Sequence, residues 1–480
     1  MELRNIPHVR EIIQSIRERV PESYVVGGAV RDQLMGKSLR MDLDLAVPCN
    51  GFDLARDLAQ TSGLKATFVP LDATFGTGRI VLHGTPPALL DISSFKGANI
   101  EDDLRRRDFT INAMAVSVRD FLEGAYDRVI DPTGGIKDLR DKTIRACSNT
   151  AFTEDPLRIL RAFRFRACLG FVISPGTLDL IPGSLKAMDL ISPERIRDEF
   201  IATLTPRSTG QVLREMDSMG IMDFLFPEIG PMKGCLQNEY HHLDVWGHTL
   251  EAVQLLEHVS GNPEDYFHEM GQAVAQYCAE EPVKGRQRSA LLKLAMIFHD
   301  SGKPHTRSAN SRGAVHFFGH EKVSRELFEQ AAVRLKLAGR EIKLVGELIA
   351  GHMRTLIFTR ELATNRAVYR LCRKFKKDVI GLFVLFLADL GASRGPVRPD
   401  GLEIKTLDRV REALKKCLEA EKEQQKPLLN GREVMAYFGL DPGPYLGNIL
   451  KKLDELQGAG EIRTRDEAFS AVKALLSGQN

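Results

Sequence analysis

Long apolar runs are missing from this sequence of 480 residues. No segment approaches the roughly 18 consecutive apolar residues that a membrane-spanning helix needs. The N-terminus, MELRNIPHVREI, is charged and lacks the apolar core of a signal peptide. We therefore expect a protein that stays in the cytoplasm and has no membrane partner. A hydrophobic share of 43% and a charged share of 27% are typical of globular proteins. The length predicts about two to four domains.

Cysteine pairs and a strong net charge are also missing. The seven cysteines are scattered and include no C-x-x-C pair, which argues against a zinc ribbon or a disulfide framework and fits a reducing compartment. A net charge of +2 is too small to indicate a polyanionic partner by itself. Arginine nevertheless concentrates in LRRRD at 104–108 and RILRAFRFR at 158–166, which are candidate contacts to phosphates or bases.

The pattern of apolar residues predicts an α+β protein. Residues 1–150 begin with an amphipathic helix and contain strand patterns. Beyond residue 152 strand signals nearly vanish and helical patterns dominate, with 261–284 a candidate surface excursion. The predicted strands are Tyr24–Val26, 41–47, Gly78–Leu82 and Leu89–Ser93.

Two aspartates are spaced for metal binding. Because side chains alternate along a strand, Asp42 and Asp44 in MDLDLAV present two carboxylates on one face, which is what Mg²⁺ ions require for nucleotidyl transfer. Gly27 and Gly28 allow close approach of phosphates, and Arg31 can contact a triphosphate. The alternative is the solvated face of an edge strand, and for the two aspartates alone that alternative is favoured.

Asp91, in LLDISSF, belongs to another predicted strand. It either completes the metal site or simply ends a strand, and the residues alone leave both readings open.

A second group of candidate ligands lies in the helical region. A lone helical histidine is usually structural. Here imidazole and carboxylate groups, the ligands of divalent metals, recur along several helical segments. His299 and Asp300 can bind one metal ion, with His248 and Asp389 as its further ligands. His320 and His352 can bind a second ion.

Four motifs, in this order, resemble those of the class II tRNA nucleotidyltransferases and the related bacterial poly(A) polymerases. YVVGGAVRDQLMG with the following MDLDLAV is similar to the catalytic motif. RRRDFTINAMA at 105–115 resembles the second motif, DPTGGIKDL at 131–139 the hinge motif, and EDPLRILRAFRF at 154–165 the nucleobase-selecting motif. Their joint occurrence makes the solvated-strand reading of Asp42 and Asp44 improbable.

The resemblance implies template-independent addition of C, A or both to the 3′ end of tRNA, from CTP and ATP with Mg²⁺ and with release of pyrophosphate. It implies that Asp155 and Arg158 select the base, and their i, i+3 spacing predicts one helix face. The alternative for this pair is an ordinary helix start. The implied catalytic residues are Asp42, Asp44 and Asp91, and the implied nucleotide-binding residues are Gly27, Gly28, Arg31, Asp32, Arg107, Asp108, Asn112, Asp155, Arg158, Arg161 and Arg164.

The sequence departs from the family pattern in one loop. CCA-adding members usually carry a flexible basic loop before the second motif, where this chain has only Phe95–Glu101. In the family that loop is tied to the switch from C to A addition, so its shortness resembles members that add only CC. A poly(A) polymerase is an alternative, disfavoured because Val69–Ile80 lacks that group's basic stretch.

The histidine series resembles the HD phosphohydrolase domain fused to some bacterial CCA enzymes, as DVWGHTLEAV and MIFHDSGK indicate. This implies hydrolysis of phosphoesters, such as cyclic phosphates at RNA ends, with Ni²⁺, Mn²⁺ or Mg²⁺. An HD nucleotide hydrolase with a relic head is a further alternative, opposed by the intact carboxylates. The implied domains are a head at 1–150, a neck at 151–232, an HD domain at 233–395 and a tRNA-binding tail at 396–480.

Overall fold

The computed structural model describes residues 6–37, 41–72, 76–359, 363–397, 399, 401–422 and 426–478. Residues 73–75 of the Val69–Ile80 stretch lie outside the described residues. Within these ranges no helix is both long and apolar enough to cross a membrane. The chain divides into two compact units, Met1–Glu199 and Phe200–Asn480.

A mixed six-stranded sheet forms the centre of the first unit. Its strands lie in the order β3-β4-β5-β2-β1-β6; β2 and β5 are parallel and the other neighbours antiparallel. The strands are β1 (Tyr24–Val26), β2 (Asp42–Val47), β3 (Ala66–Asp72), β4 (Thr77–Leu82), β5 (Ala88–Ser94) and β6 (Ala115–Ser117). A further short parallel pair is β7 (Thr143–Ile144) and β8 (Val172–Ile173).

The four predicted strands are confirmed, whereas β3 and β6 were not predicted. β3 is largely exposed at the edge of the sheet and contains Pro70, so it lacks an alternating apolar pattern. β6 has only three residues, too few for a period-2 signal.

The helices of the first unit flank this sheet and continue beyond it. In the opening helix the buried side chains Val9, Ile12, Ile13 and Ile16 follow the i, i+3, i+4, i+7 spacing and join the core of the sheet. The helices are α1 (Pro7–Arg19), α2 (Gly28–Leu34), α3 (Gly51–Thr61), α4 (Ile100–Arg105), α5 (Val118–Glu123), α6 (Gly135–Arg140), α7 (Ala151–Glu154), α8 (Arg158–Leu169), α9 (Pro175–Leu178), α10 (Ile181–Ser184) and α11 (Pro193–Leu204), the last of which reaches into the second unit.

Among its described residues, the second unit is helical apart from the small hairpin of β9 (Ser308–Ala309) and β10 (Val315–His316). These observations confirm the α+β class. The helices are α12 (Thr209–Ser218), α13 (Ile221–Leu225), α14 (Val245–Gly261), α15 (Pro263–Phe267), α16 (Gly271–Ala279), α17 (Arg288–Phe298), α18 (Lys303–Thr306), α19 (His320–Arg334), α20 (Gly339–Gly351), α21 (Asn365–Phe375), α22 (Val379–Ala392), α23 (Leu402–Lys422), α24 (Gly431–Phe438), α25 (Pro444–Gly458) and α26 (Arg465–Leu476).

Two features of this unit differ from the sequence-based expectations. The prediction of a surface excursion at 261–284 was wrong. This region forms α15 and α16, in which Phe267 and Val274 are completely buried. Cys372 on α21 and Cys417 on α23 form a disulfide. Their separation of 45 residues gave no pairing signal in the sequence.

Candidate active site and metal centre

The alternation predicted for β2 is confirmed, and it exposes Asp42 and Asp44 while Leu43 and Leu45 enter the core. Asp44 lies opposite Asp91 in the pairing of β2 with the parallel strand β5. Asp91 accepts hydrogen bonds from Nε (2.6 Å) and Nη2 (2.7 Å) of Arg79. Three carboxylates therefore occupy one region of the sheet, but an arginine already neutralises one of them.

Gly27 separates β1 from α2 and approaches Asp44. Its φ of 73° lies in the left-handed region, and a Cβ there would be 3.1 Å from Oδ2 of Asp44 and 3.7 Å from an Nη1 atom of Arg107. A side chain at this position would thus be strained and would crowd the carboxylate. Glycine keeps the space above Asp44 open.

The electrostatic surroundings of Asp44 suit a cation. Asp44 keeps solvent contact, but desolvation by the surrounding protein raises the pKa of its carboxylate to about 6, and the neighbouring Asp91 and Asp42 charges add to this effect against Arg107. Carboxylate oxygens are the ligands of hard divalent ions. Asp42 and Asp44 therefore present carboxylates suited to divalent cations.

Five of the candidate nucleotide-binding residues form one hydrogen-bonded chain. Arg31 donates from Nε (2.9 Å) and Nη2 (2.7 Å) to Asp32 and from Nη1 to Oδ1 of Asn112 (2.6 Å). Asn112 donates to Asp108 (3.3 Å), which also accepts from Nε (2.9 Å) and Nη2 (2.7 Å) of Arg161. Residues from the first, second and nucleobase motifs are thus brought together by the fold.

Two carboxylates that extend this arrangement were missed by the sequence analysis. Asp103 accepts from Nε (3.0 Å) and Nη2 (2.8 Å) of Arg107 and is almost fully buried. Glu199 lies 2.7 Å from Nε of Arg164 and 3.4 Å from Nη1 of Arg161. The i, i+4 spacing of Asp103 and Arg107 could have indicated the first pair. No local pattern links Glu199 to α8.

The one-helix arrangement predicted for Asp155 and Arg158 was wrong. Asp155 has extended backbone between α7 and α8, and Arg158 begins α8. Pro156, directly after Asp155, disfavours helical backbone at that residue. Asp155 accepts from Nη2 of Arg195 (3.2 Å).

Arg158 is buried and its donors are engaged with backbone. Its Nη2 donates to the carbonyl of Arg106 (2.8 Å) and its Nη1 to that of Ala151 (3.2 Å). The guanidinium therefore ties the start of α8 to the second motif. In this arrangement two of its donors are already occupied.

The hinge motif is fastened to the second motif. Asp131 accepts from the backbone amides of Gly135 (2.7 Å) and Ile136 (2.9 Å), which caps α6. Asp138 accepts from Oγ1 of Thr110 (2.7 Å) and from Arg145 (3.0 Å). These contacts fix the position of the segment that carries Asp108 and Asn112.

All six residues of the predicted HD site converge in the second unit. His248 lies on α14, His299 and Asp300 directly follow α17, and Asp389 lies on α22. His320 begins α19, and His352 follows α20. The ligand atoms fall into two groups, each spanning less than 4.8 Å: His248, His299 and Asp389, and Asp300, His320 and His352.

Asp300 faces both groups, which refines the predicted division of ligands. Its Oδ2 lies 3.2 Å from Nε2 of His299, and its Oδ1 lies 3.2 Å from Nε2 of His320. The Nε2 atoms of His320 and His352 are 3.2 Å apart. Nε2 of His299 and Oδ2 of Asp300 are both buried, and a divalent cation between these atoms would take ligands from both groups.

Backbone carbonyls orient three of the imidazoles. Nδ1 of His299 contacts the carbonyl of Met296 (2.8 Å), and the same i−3 contact recurs at His320 (2.8 Å) and His352 (2.6 Å). An Nδ1 that donates to a carbonyl leaves Nε2 with its lone pair for a metal. The helix ends thus select the tautomer that metal binding requires.

The charges around the six HD residues indicate that a bound cation would replace a proton. Burial opposes protonation of His299, but the Asp300 and Asp389 carboxylates raise its pKa to about 10. Burial and the neighbouring histidine charges lower the pKa of His352 to about 3. One proton on His299 therefore balances part of the carboxylate charge, and cation binding would displace it.

Two further basic residues of this site were not predicted. Nζ of Lys303 lies 2.6 Å from Oδ2 of Asp300 and donates to Gln237 (2.7 Å). His241 packs against His248 with ring centroids 4.9 Å apart. The segment HDSGK places Lys303 three residues after Asp300, which is the signal that could have revealed it.

Comparison with known families divides the chain into three matched regions. Residues 23–145 match the poly A polymerase head domain, residues 170–232 the probable RNA and SrmB-binding site of polymerase A, and residues 245–378 the HD domain. The candidate catalytic aspartates lie in the first region. Five of the six HD ligands lie in the third, and Asp389 lies just beyond it.

Curated relatives match nearly the whole chain. It is 34% identical to the A-adding tRNA nucleotidyltransferase of Deinococcus radiodurans, covering 94% of this chain and 95% of the relative. It is 31% identical to the CC-adding tRNA nucleotidyltransferase of Thermus thermophilus, covering 93% and 92%. Its fold is similar to that of the Thermotoga maritima CCA-adding enzyme complexed with tRNA, with a TM-score of 0.64 at 22% identity and coverage of 98% and 96%.

Proposed function

The chain belongs to the tRNA nucleotidyltransferase family, and from this premise we propose that it adds two cytidines to the 3′ end of tRNA. We choose addition of CC because the connection between β5, which ends at Ser94, and α4, which begins at Ile100, is short. In the family this place holds the flexible loop tied to the switch from C to A addition.

Hydrogen bonds fasten this connection to α4. The amide of Lys96 donates to Asp103 (3.0 Å), and the amide of Ala98 donates to Asp102 (3.3 Å). Asn99 caps the helix by accepting from the amide of Asp102 (2.9 Å). A segment held by three hydrogen bonds is unsuited to a movement that would re-shape the nucleotide site for ATP.

Addition of a single A is the second candidate. The Deinococcus radiodurans relative, named as A-adding, has a slightly higher identity than the CC-adding Thermus thermophilus relative, 34% against 31%. That difference is small, whereas the short connection is a feature of this chain itself. We therefore rank CC addition first.

The chemistry of transfer is assigned to the head. Mg²⁺ on Asp42 and Asp44, with Asp91 beside them, would activate the terminal hydroxyl of the RNA and neutralise the triphosphate. Arg31 and Arg161 are held by Asp32 and Asp108 with donors left for phosphate and ribose.

The remaining candidate contacts complete the nucleotide site. Asp155, at the break between two helices, accepts from the exocyclic amino group that both C and A present, and Arg158 and Arg164 position the helix that follows. Gly28 and Arg107 border the phosphates.

The experiment uses three purified tRNA substrates, ending before CCA, after C and after CC, each with labelled CTP or ATP. CC addition predicts two additions from CTP on the first, one on the second and no A on the third. Incorporation of A only on the third substrate would establish A addition instead. Three ordered additions would establish full CCA activity, and a long A ladder a poly(A) polymerase.

For the second unit we propose metal-dependent hydrolysis of phosphoesters at RNA 3′ ends. The support is the convergence of six buried or partly buried metal-ligating side chains in two groups. Ni²⁺, Mn²⁺ and Mg²⁺ are the candidate ions. The test is release of the blocking group from RNA ending in a 2′,3′-cyclic phosphate, with each metal in turn; hydrolysis without any tRNA extension would favour the reading with a relic head.

tRNA binding by the C-terminal helices is part of the same proposal. Pro444 begins α25, whose Lys451 and Lys452 are exposed and can contact phosphates, as can Arg463. We place this activity in the cytoplasm.

A further inference from the structure

Phe165 lies in the middle of the candidate nucleotide site although its side chain carries no polar group. It belongs to α8, between Arg164 and Arg166, and is 8% exposed. Its ring packs edge to face against Phe109, with centroids 5.7 Å apart and an interplanar angle of 84°. Phe109 follows Asp108, so the aromatic pair joins the nucleobase motif to the second motif.

Three guanidinium groups surround this one ring. The Cζ atoms of Arg31, Arg161 and Arg164 lie 5.5, 5.7 and 4.6 Å from its centroid. These distances are within the range in which a cation is attracted to an aromatic face. The three arginines come from two helices, α2 and α8.

Each of these guanidinium groups also has a carboxylate partner. Arg31 binds Asp32, Arg161 binds Asp108, and Arg164 is paired with Glu199. Burial, together with the charge of Arg161, holds the pKa of Arg164 below its usual value, which reflects crowding of like charges. The ring of Phe165 supplies one attractive surface that all three guanidinium groups share.

We propose that Phe165 is a positioning residue for nucleotide binding, and that its ring orients Arg31, Arg161 and Arg164 toward the phosphates and base of CTP or ATP. The inference rests on the proposed function, since it takes these arginines as nucleotide contacts. Without the ring, the guanidinium groups gain freedom that nucleotide binding must remove again, and affinity falls. The Phe165 side chain has no group that can bind a metal ion or transfer a proton, so we expect its loss to spare the chemical step.

The test compares Phe165→Leu and Phe165→Tyr with the control Phe163→Leu. Phe163 lies on the same helix and is fully buried, so its truncation removes buried aromatic surface but leaves the Phe165 ring beside the three arginines. We expect the KM for CTP to rise about tenfold in Phe165→Leu, with kcat within about twofold of the wild type. Phe165→Tyr, which keeps the aromatic face, should restore the wild-type KM.

A Phe165→Leu variant whose KM matches that of Phe163→Leu would overturn the inference, as would a loss confined to kcat. Calorimetric titration of each variant with CTP gives the affinity independently of transfer. If the wild type bound CTP but failed to extend tRNA, the proposed function would fail while the titration still decided the role of Phe165. If the wild type did not bind CTP, both would fail.

Discussion

Asp91 lies directly beside Asp44 on a parallel strand, yet its carboxylate is bound by Arg79 through two hydrogen bonds. Asp44, by contrast, has a pKa raised to about 6 by burial and by its acidic neighbours. A bidentate arginine neutralises Asp91 and reduces its ability to bind a cation. The two aspartates therefore differ in charge balance although their backbones are paired, and we expect their removal to have unequal effects.

Loss of either exposed aspartate should abolish nucleotide transfer. Asp42→Ala or Asp44→Asn removes a proposed Mg²⁺ ligand, and we expect incorporation of labelled CTP to fall about a thousandfold or more. tRNA binding, measured by filter retention, should be unchanged. Asp53→Asn on the exposed face of α3 is the control and should retain transfer. Retained transfer in both variants would refute the metal assignment.

Loss of Asp91 should be milder. In Asp91→Asn we expect about a tenfold fall in kcat/KM, because Arg79 already neutralises this carboxylate in the free protein. The measurement is steady-state CTP incorporation over a range of Mg²⁺ concentrations. A loss equal to that of Asp44→Asn would place Asp91 among the metal ligands and require Arg79 to release it.

Asp103→Asn should weaken nucleotide binding through Arg107. The variant removes the charge that orients this guanidinium but keeps an acceptor for the amide of Lys96. We expect the KM for CTP to rise about fivefold, because loss of a charge-assisted pair costs about 1 kcal/mol or more. Asp102→Asn also alters the connection before α4, but Asp102 pairs with Arg105 whereas Arg107 pairs with Asp103, so the KM of this variant should stay constant. An equal rise in KM in Asp103→Asn and Asp102→Asn would show that the connection before α4, and not Arg107, controls CTP binding.

Removing His299 and Asp300 should separate the two proposed activities. The double variant His299→Ala and Asp300→Ala loses ligands of both groups, so we expect hydrolysis of cyclic phosphates to disappear. Dialysis of the wild type against a chelator should give the same loss, reversible by added metal. CTP incorporation should persist in the double variant. His305→Ala, at an exposed histidine outside the cluster, should keep hydrolysis; full phosphodiesterase activity in the double variant would contradict the site.

Lys293→Met should destabilise the second unit. Lys293 is buried with its Nζ 3.0 Å from Glu257, whose carboxylate accepts from the amides of Thr209 (2.6 Å) and Gly210 (3.2 Å) at the start of α12. The variant leaves an uncompensated buried carboxylate, and we expect a loss of about 3 to 5 kcal/mol in urea unfolding. Lys343→Met, at an exposed position on α20, should change stability by less than about 0.5 kcal/mol. Similar losses in both would show that the buried pair contributes little.

Local periodicity made much of the head predictable. The two-residue repeat of MDLDLAV predicted β2 and the shared face of Asp42 and Asp44, because alternation depends only on neighbouring residues in a strand. β3 escaped prediction, since an exposed edge strand with a proline carries no such repeat. The six HD residues were found through ordered motifs on separate helices, and the fold brings them together as predicted.

Only the tertiary structure decided which partner each charged residue meets. Arg79 and Asp91, Arg158 and the carbonyl of Arg106, and the ring of Phe165 among three arginines are contacts between segments with no repeat that links them in sequence. The sequence alone determined the local face on which a residue lies and the set of residues available for chemistry. The packing of strands and helices decided their pairing and burial, because those depend on distances between chain segments that local patterns do not encode.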